Sequence, residues 1–304
     1  MANQNDKRAL EDKIDVSSSA CSESVAPKKQ RASTADQKHS VIRSSSSTSH
    51  LSQAFTCENV VAHARQVTAS ISKEIDVDKV FADAKVHYLT RDRASWVYHV
   101  PRWYHRMYAF CDGNRHGSYR EWLDRIWTLH PVDHGTIKMF GRDVLTPRFQ
   151  QAYGVSYRFS GNTFEAVPVP ESLQHCVELM QAMVVNPATD NTLLNGVLLN
   201  WYADGDHYIG PHSDSVGALY KHSPVFSLSL GATRRFVFTA KTGKSSTAND
   251  RNGAVQRLEL ALQSGDLIVM GGMTQQTHKH ALPKMKNCIE KRVSITLRCF
   301  VTPS

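Results

Sequence analysis

His212, Asp214 and a later histidine are the residues of this chain best suited to chemistry. The run His212-Ser213-Asp214 sets two ligand-type side chains two positions apart. In an extended segment such positions share a face, so both side chains can reach one ion. Further along come His278 and His280, either of which would complete a set of two histidines and one carboxylate. That donor set holds iron(II) by one face and leaves the opposite positions open. A keto acid and dioxygen fit those positions. The run Arg292-Val293-Ser294-Ile295-Thr296-Leu297-Arg298 follows. A buried arginine there would pair with the far carboxylate of a keto acid through a planar, two-pronged contact that lysine cannot make. Arg292 and Arg298 alternate with apolar residues, which predicts both guanidinium groups on one face of a strand.

Fifteen histidines in 304 residues make one His-x-Asp pair weak by itself. The order of the surrounding blocks carries the argument. They are Pro147-Arg148, Tyr157-Arg158-Phe159-Ser160-Gly161, Asn200-x-Tyr202, His212-x-Asp214, Ser227-Leu228-Ser229-Leu230-Gly231, His280-x-Leu282-Pro283 and the Arg292 to Arg298 run. From Gly135 to Val301 this set resembles the AlkB-type iron(II)/2-oxoglutarate dioxygenases, the oxidative nucleic-acid dealkylases, with a pattern nearest the DNA-repair branch.

The resemblance implies roles. His212, Asp214 and His280 would be the metal ligands and so the catalytic set, His280 rather than His278 because the family's ligand precedes x-Leu-Pro. Asn200, Tyr202, Arg292 and Arg298 would hold 2-oxoglutarate. Tyr157 and Phe159 match aromatic positions that flank a flipped base, where stacking suits any base. The segment Met139-Phe140-Gly141-Arg142 falls where duplex-acting relatives carry a hairpin with an apolar wedge. Phe140 would fill the gap left by the base; the rival reading buries it in the core. Lys138, Arg142, Arg148, Arg158, Arg234 and Arg235 are candidate phosphate contacts. One position departs from the pattern. Many relatives carry an acidic residue two places after the metal aspartate, whereas this chain has Val216, which leaves the base preference open.

The implied function is dealkylation of N-alkylated bases with iron(II), 2-oxoglutarate and dioxygen, with alkylated DNA as partner and DNA repair as the leading expectation. An RNA demethylase with the same chemistry and a non-catalytic nucleic-acid-binding relative are the alternatives. The formal charge of +8 suits a polyanionic partner. Six cysteines without a Cys-x-x-Cys spacing read as reduced thiols. The start of the sequence shows no apolar leader, and no apolar run is long enough to span a membrane, so a nuclear or cytoplasmic monomer is expected.

Three regions position these residues. Residues 1–54 hold thirteen serines and no aromatic side chain, a composition expected to stay disordered. Residues 55–134 read as a helical, aromatic-rich N-terminal extension, with helices at Asn59–Lys73 and Ser118–Leu129. Its stretch from Trp96 to Phe110 is expected to be a core layer rather than a base-stacking surface. Residues 135–304 show short β-type runs around one helix at Glu171–Val184, which suggests a barrel or jelly roll. The fold class is therefore mostly β with flanking helices, α+β. The resemblance specifies its core as a double-stranded β-helix. Residues 241–253 read as a polar, mobile hairpin loop.

Overall fold

The computed structural model describes residues 55–111, 116–159, 162–183, 195–215, 219–220, 222–241 and 254–300. The serine-rich tail, Val216 and all but the first residue of the 241–253 loop lie outside them. The described residues belong to one compact unit.

The elements in chain order are α1 (Cys57–Ile71), α2 (Val77–Val80), β1 (Lys85–Tyr88), β2 (Ser95–Val100), α3 (Trp103–Cys111), α4 (Tyr119–Thr128), β3 (Thr136–Met139) and β4 (Arg142–Leu145). Next come β5 (Phe149–Tyr153), β6 (Tyr157–Phe159), β7 (Asn162–Phe164), β8 (Ala166–Val167), α5 (Glu171–Ala182), β9 (Gly196–Tyr202), β10 (Ile209–His212) and β11 (Val225–Gly231). The chain continues through β12 (Arg234–Ala240), β13 (Arg257–Leu262), β14 (Leu267–Gly272), α6 (Thr274–Thr277), β15 (His278–Leu282) and β16 (Arg292–Arg298).

An eight-stranded sheet runs β1-β2-β14-β11-β16-β9-β5-β8, and a four-stranded sheet runs β10-β15-β12-β13. Pairing is antiparallel except between β5 and β8. This is the strand-rich architecture with flanking helices that the sequence suggests. Side-chain alternation sorts the large sheet into two faces. Val197, Leu199 and Trp201 of β9, Val293, Ile295 and Leu297 of β16, and Phe226, Leu228 and Leu230 of β11 pack in one apolar cluster with residues of α1, α3, α4 and α5. The alternate residues, Leu198, Asn200 and Tyr202, then Ser294, Thr296 and Arg298, then Ser227, line a pocket with residues of the small sheet. Phe238, Leu262, Ile268 and Leu282 close the same inter-sheet space with a second apolar cluster. One face of β9 and β16 thus serves the core and the other serves the site.

The region before residue 135 is not a purely helical extension. β2 enters the large sheet beside β14, with Val100 opposite Leu267 and Ser95 opposite Gly272. The boundary expected at residue 135 therefore separates no independent body. The reason the strand was hidden is physical. Five of the six residues of Ser95–Val100 are buried, so no polar-apolar alternation marks the strand.

The aromatic stretch packs as a core layer. Trp96, Trp103, Tyr104 and Tyr108 are buried, while Phe110 is 40% exposed. Trp122 of α4 packs on Tyr104 at 5.0 Å between ring centroids and on Tyr108 at 5.7 Å. Its Nε1 donates to Ser172 O at 2.8 Å, which ties α4 to α5, and Trp201 Nε1 donates to Ile126 O at 2.9 Å, which ties β9 to α4. A capping box starts α4: the Ser118 hydroxyl accepts from the Glu121 amide while the Glu121 carboxylate accepts from the Ser118 amide. Trp122→Ala is expected to cost about 3–5 kcal/mol, the range for truncating a fully buried tryptophan, as read by urea denaturation.

Candidate metal centre

β10 and β15 pair so that His212 lies directly opposite His280. Their rings are 4.2 Å apart, centroid to centroid. Asp214 follows the end of β10 by two residues. The ligand-type atoms of His212, Asp214 and His280 all lie within 4.8 Å of one another, and they form the one such cluster among the described residues. His212 shares a 2.9 Å hydrogen bond between Nδ1 and Gly210 O, so Nδ1 carries the proton and Nε2 is left as the donor atom. Phe236 stacks on His280 at 5.6 Å with 13° between planes and fixes its ring.

His278 is two residues away from His280 but is already engaged. Its Nδ1 lies 2.9 Å from Thr277 Oγ1 and its Nε2 2.9 Å from Val255 O. The structure brings His280, and not His278, to the other two ligands.

The electrostatics keep all three groups in the forms a cation needs. Burial pushes His280 down to about 3, and burial also lowers His212. Burial opposes ionisation of Asp214, yet Arg298, His280 and His212 outweigh it and hold the carboxyl well below the usual range. Arg298 grips Asp214 with Nε to Oδ2 and a terminal nitrogen to Oδ1, both at 3.0 Å. Arg298, which the resemblance places on the co-substrate, lines the same pocket while it holds Asp214.

The other expected co-substrate residues converge nearby. Arg292 is 1% exposed and donates to Ser229 Oγ at 2.8 Å. Its Nε has no hydrogen-bond partner among the described residues. The guanidinium lies 5.2 Å from the Tyr202 ring centre, with Arg234 on Tyr202 at 5.9 Å. Burial lowers Arg292 to about 10, so it stays charged at neutral pH. A buried cation without an acidic partner among the described residues is costly unless an anion joins it. The carboxylate of a keto acid fits that requirement, and three ligands on one side of an ion fit iron(II). Asn200 accepts from Arg148 Nε at 2.8 Å within the same pocket.

The expected phosphate contacts need correction at two positions. Arg148 is 4% exposed and Arg234 fully buried, so neither side chain is presented to a nucleic-acid backbone at the surface. The two terminal nitrogens of Arg234 donate to Asp204 O, His207 O and Pro283 O at 2.8 to 2.9 Å, which clamps the β9–β10 turn to the segment after β15. Isolated in sequence, a charge reads as surface; here backbone carbonyls satisfy it inside. Arg235 is exposed and pairs with Glu259 at 3.7 Å, and Lys138 pairs with Asp143 at 3.2 Å.

β3 and β4 form a separate two-stranded ribbon closed by Phe140 and Gly141. Both turn residues have positive φ, 50° and 79°. Phe140 is fully exposed, which sets aside the core reading. Arg142 stands beside it on exposed β4. Tyr157 and Phe159 lie on β6, paired with β7.

Sequence reasoning missed Gln150, Phe236 and Met270, which also line the pocket. Gln150 lies directly opposite Asn200 in the pairing of β5 and β9, a register that the sequence does not display. Residues 118–298 match the family described as the 2OG-Fe(II) oxygenase superfamily. The human DNA oxidative demethylase ALKBH2 is 36% identical over 168 residues, covering 53% of this chain and 60% of that protein. Its bovine counterpart is 34% identical over 168 residues, covering 53% and 56%. The rat alpha-ketoglutarate-dependent dioxygenase alkB homolog 3 is 33% identical over 153 residues, covering 50% of each. The similarity therefore spans between half and six-tenths of the length of these relatives. With a matched segment that holds all three clustered ligands and both strand arginines, this chain belongs to the 2OG-Fe(II) oxygenase superfamily.

Proposed function

We infer that the protein is an oxidoreductase that dealkylates N-alkylated bases in nucleic acid, with alkylated DNA as substrate and repair as its role. The reading is carried by one observation: an exposed aromatic, Phe140, in a left-handed turn stands on the same unit as a His-His-Asp cluster whose Asp214 and His280 are buried. The relatives named above, a DNA oxidative demethylase among them, support it.

Iron and 2-oxoglutarate, when bound, supply the oxidation of the alkyl group by dioxygen. The protein's own residues do the rest. His212, Asp214 and His280 would hold the ion, and Arg298 fixes the orientation of Asp214. Arg292, packed on the Tyr202 ring, would pair with the distal carboxylate of the keto acid. Apolar Ile209, Phe236 and Leu198 limit water in the pocket. Tyr157 and Phe159 would flank the flipped base. The protein is expected to act as a monomer at a nuclear or cytoplasmic address. No described helix is long and apolar enough to cross a membrane.

Phe140 separates duplex from single-stranded substrates. Unstacking costs a few kcal/mol in duplex and much less in single strands. Phe140→Ala is expected to lower turnover of a methylated duplex about tenfold while single-stranded DNA and RNA lose far less. Phe140→Asn should raise stability, because a left-handed backbone costs a bulky residue about 1–2 kcal/mol that asparagine tolerates better. It should lower duplex turnover at the same time. Equal losses on all substrates would move the single-strand or RNA reading ahead.

A further inference from the structure

Asp214 is the one metal-site residue that no strand holds. His212 is fixed by the β10 ladder and His280 by pairing with both β10 and β12. Asp214 lies beyond the end of β10, in a segment without sheet hydrogen bonds, and is 3% exposed. A buried amide in such a place must find a partner. It finds Gln275: the Asp214 N–H donates to Gln275 Oε1 at 3.0 Å.

The Gln275 amide is itself held in one orientation. A backbone N–H can only donate, so the atom facing Asp214 must be the amide oxygen. The amide nitrogen then faces Met270 Sδ at 3.7 Å. Met270 lines the pocket from β14. Gln275 is 7% exposed and sits on the short α6 turn, whose Gln275 carbonyl accepts from Lys241 Nζ at 2.7 Å. Ser213 Oγ adds a second tie to this segment by donating to His278 O at 2.9 Å. The α6 turn leads directly into β15 and His280. One side chain thus joins the segment that carries the second histidine ligand to the carboxylate ligand.

We propose that Gln275 is a positioning residue of the metal centre: its amide oxygen sets the place of Asp214 relative to His280. The role rests on the reading of His212, Asp214 and His280 as metal ligands. Groups that orient ligands in this way typically change metal affinity about 10–100-fold when removed.

The test is titration of the full chain with Co(II) alone, followed by its visible absorption, beside thermal melting. Gln275→Met keeps length and volume but removes the acceptor. Its Co(II) affinity is expected to fall about tenfold or more while a cooperative melt persists. Gln275→Glu keeps an acceptor oxygen for the Asp214 amide and is expected to recover most of the affinity. If Gln275→Met does not fold, Gln275→Asn, whose oxygen falls short by one methylene, takes its place in the same comparison. In turnover, kcat is expected to fall about as far as the affinity, with KM for 2-oxoglutarate nearly unchanged, since Arg292 is untouched. Wild-type affinity in a folded Gln275→Met or Gln275→Asn protein overturns the positioning role alone. So does a Gln275→Glu protein as weak as Gln275→Met. Failure of the wild type to take up Co(II) at all overturns the metal reading itself and this role with it.

Discussion

Asp214→Ala is expected to abolish both metal binding and 2-oxoglutarate turnover, and to destabilise the fold. The first effect follows because the change removes the only anionic member of the ligand cluster. The second follows from Arg298. Its guanidinium is buried with two hydrogen bonds to the Asp214 carboxylate, and alanine would leave that charge without its partner. Breaking one side of a buried ion pair costs about 3–5 kcal/mol. Asp214→Asn separates the effects. It keeps an oxygen acceptor and near-identical volume, so stability should recover in part while metal affinity stays lost. His280→Ala should also abolish metal binding. His278→Ala should leave it largely intact and cost stability instead, since both ring nitrogens are hydrogen-bonded to Thr277 and Val255. Urea denaturation and Co(II) titration of the four variants read the two quantities separately. A His278→Ala protein without metal and a His280→Ala protein with it would reverse the ligand assignment.

The second large effect is expected at Arg292. Arg292→Lys keeps a positive charge but loses the planar fork. A lysine ammonium cannot make two parallel bonds to a carboxylate and also reach Ser229, which the arginine now does at 2.8 Å. Loss of about 2 kcal/mol from a buried charge-assisted hydrogen bond corresponds to roughly a thirtyfold rise in KM for 2-oxoglutarate. Metal affinity should be unaffected, because Arg292 touches none of the three ligands in the structure. An unchanged KM would place Arg292 outside the keto-acid site.

How much of this was legible in the sequence depends on what each residue's neighbours are. His212 and Asp214 were legible as a pair from their two-residue spacing, although Asp214 falls past the end of β10 and not on the strand, and His280 was legible from the resemblance at x-Leu-Pro. The face of β16 was readable because Arg292 and Arg298 alternate with apolar Val293, Ile295 and Leu297, whereas Asn200 and Tyr202 on β9 came from the resemblance. β2 was not readable, because its Trp96-Val97-Tyr98 run has no polar position to mark a period of two. Arg148 and Arg234 misled because charge in a sequence implies solvent, while in the fold Asn200 and three backbone carbonyls take its place. Gln275 carried no signal at all. Its partner lies 61 residues earlier, and only the folded chain puts the amide oxygen against Asp214.

Oxidative dealkylation by this chain has a fixed stoichiometry. The wild-type chain, with iron(II), 2-oxoglutarate and dioxygen, is incubated with N-methylated DNA oligonucleotides, and succinate and formaldehyde are both quantified. The expected result is one formaldehyde per succinate, rising with the methylated strand and absent with Asp214→Ala. Succinate that ignores the oligonucleotide, or formaldehyde that persists in Asp214→Ala, would contradict it.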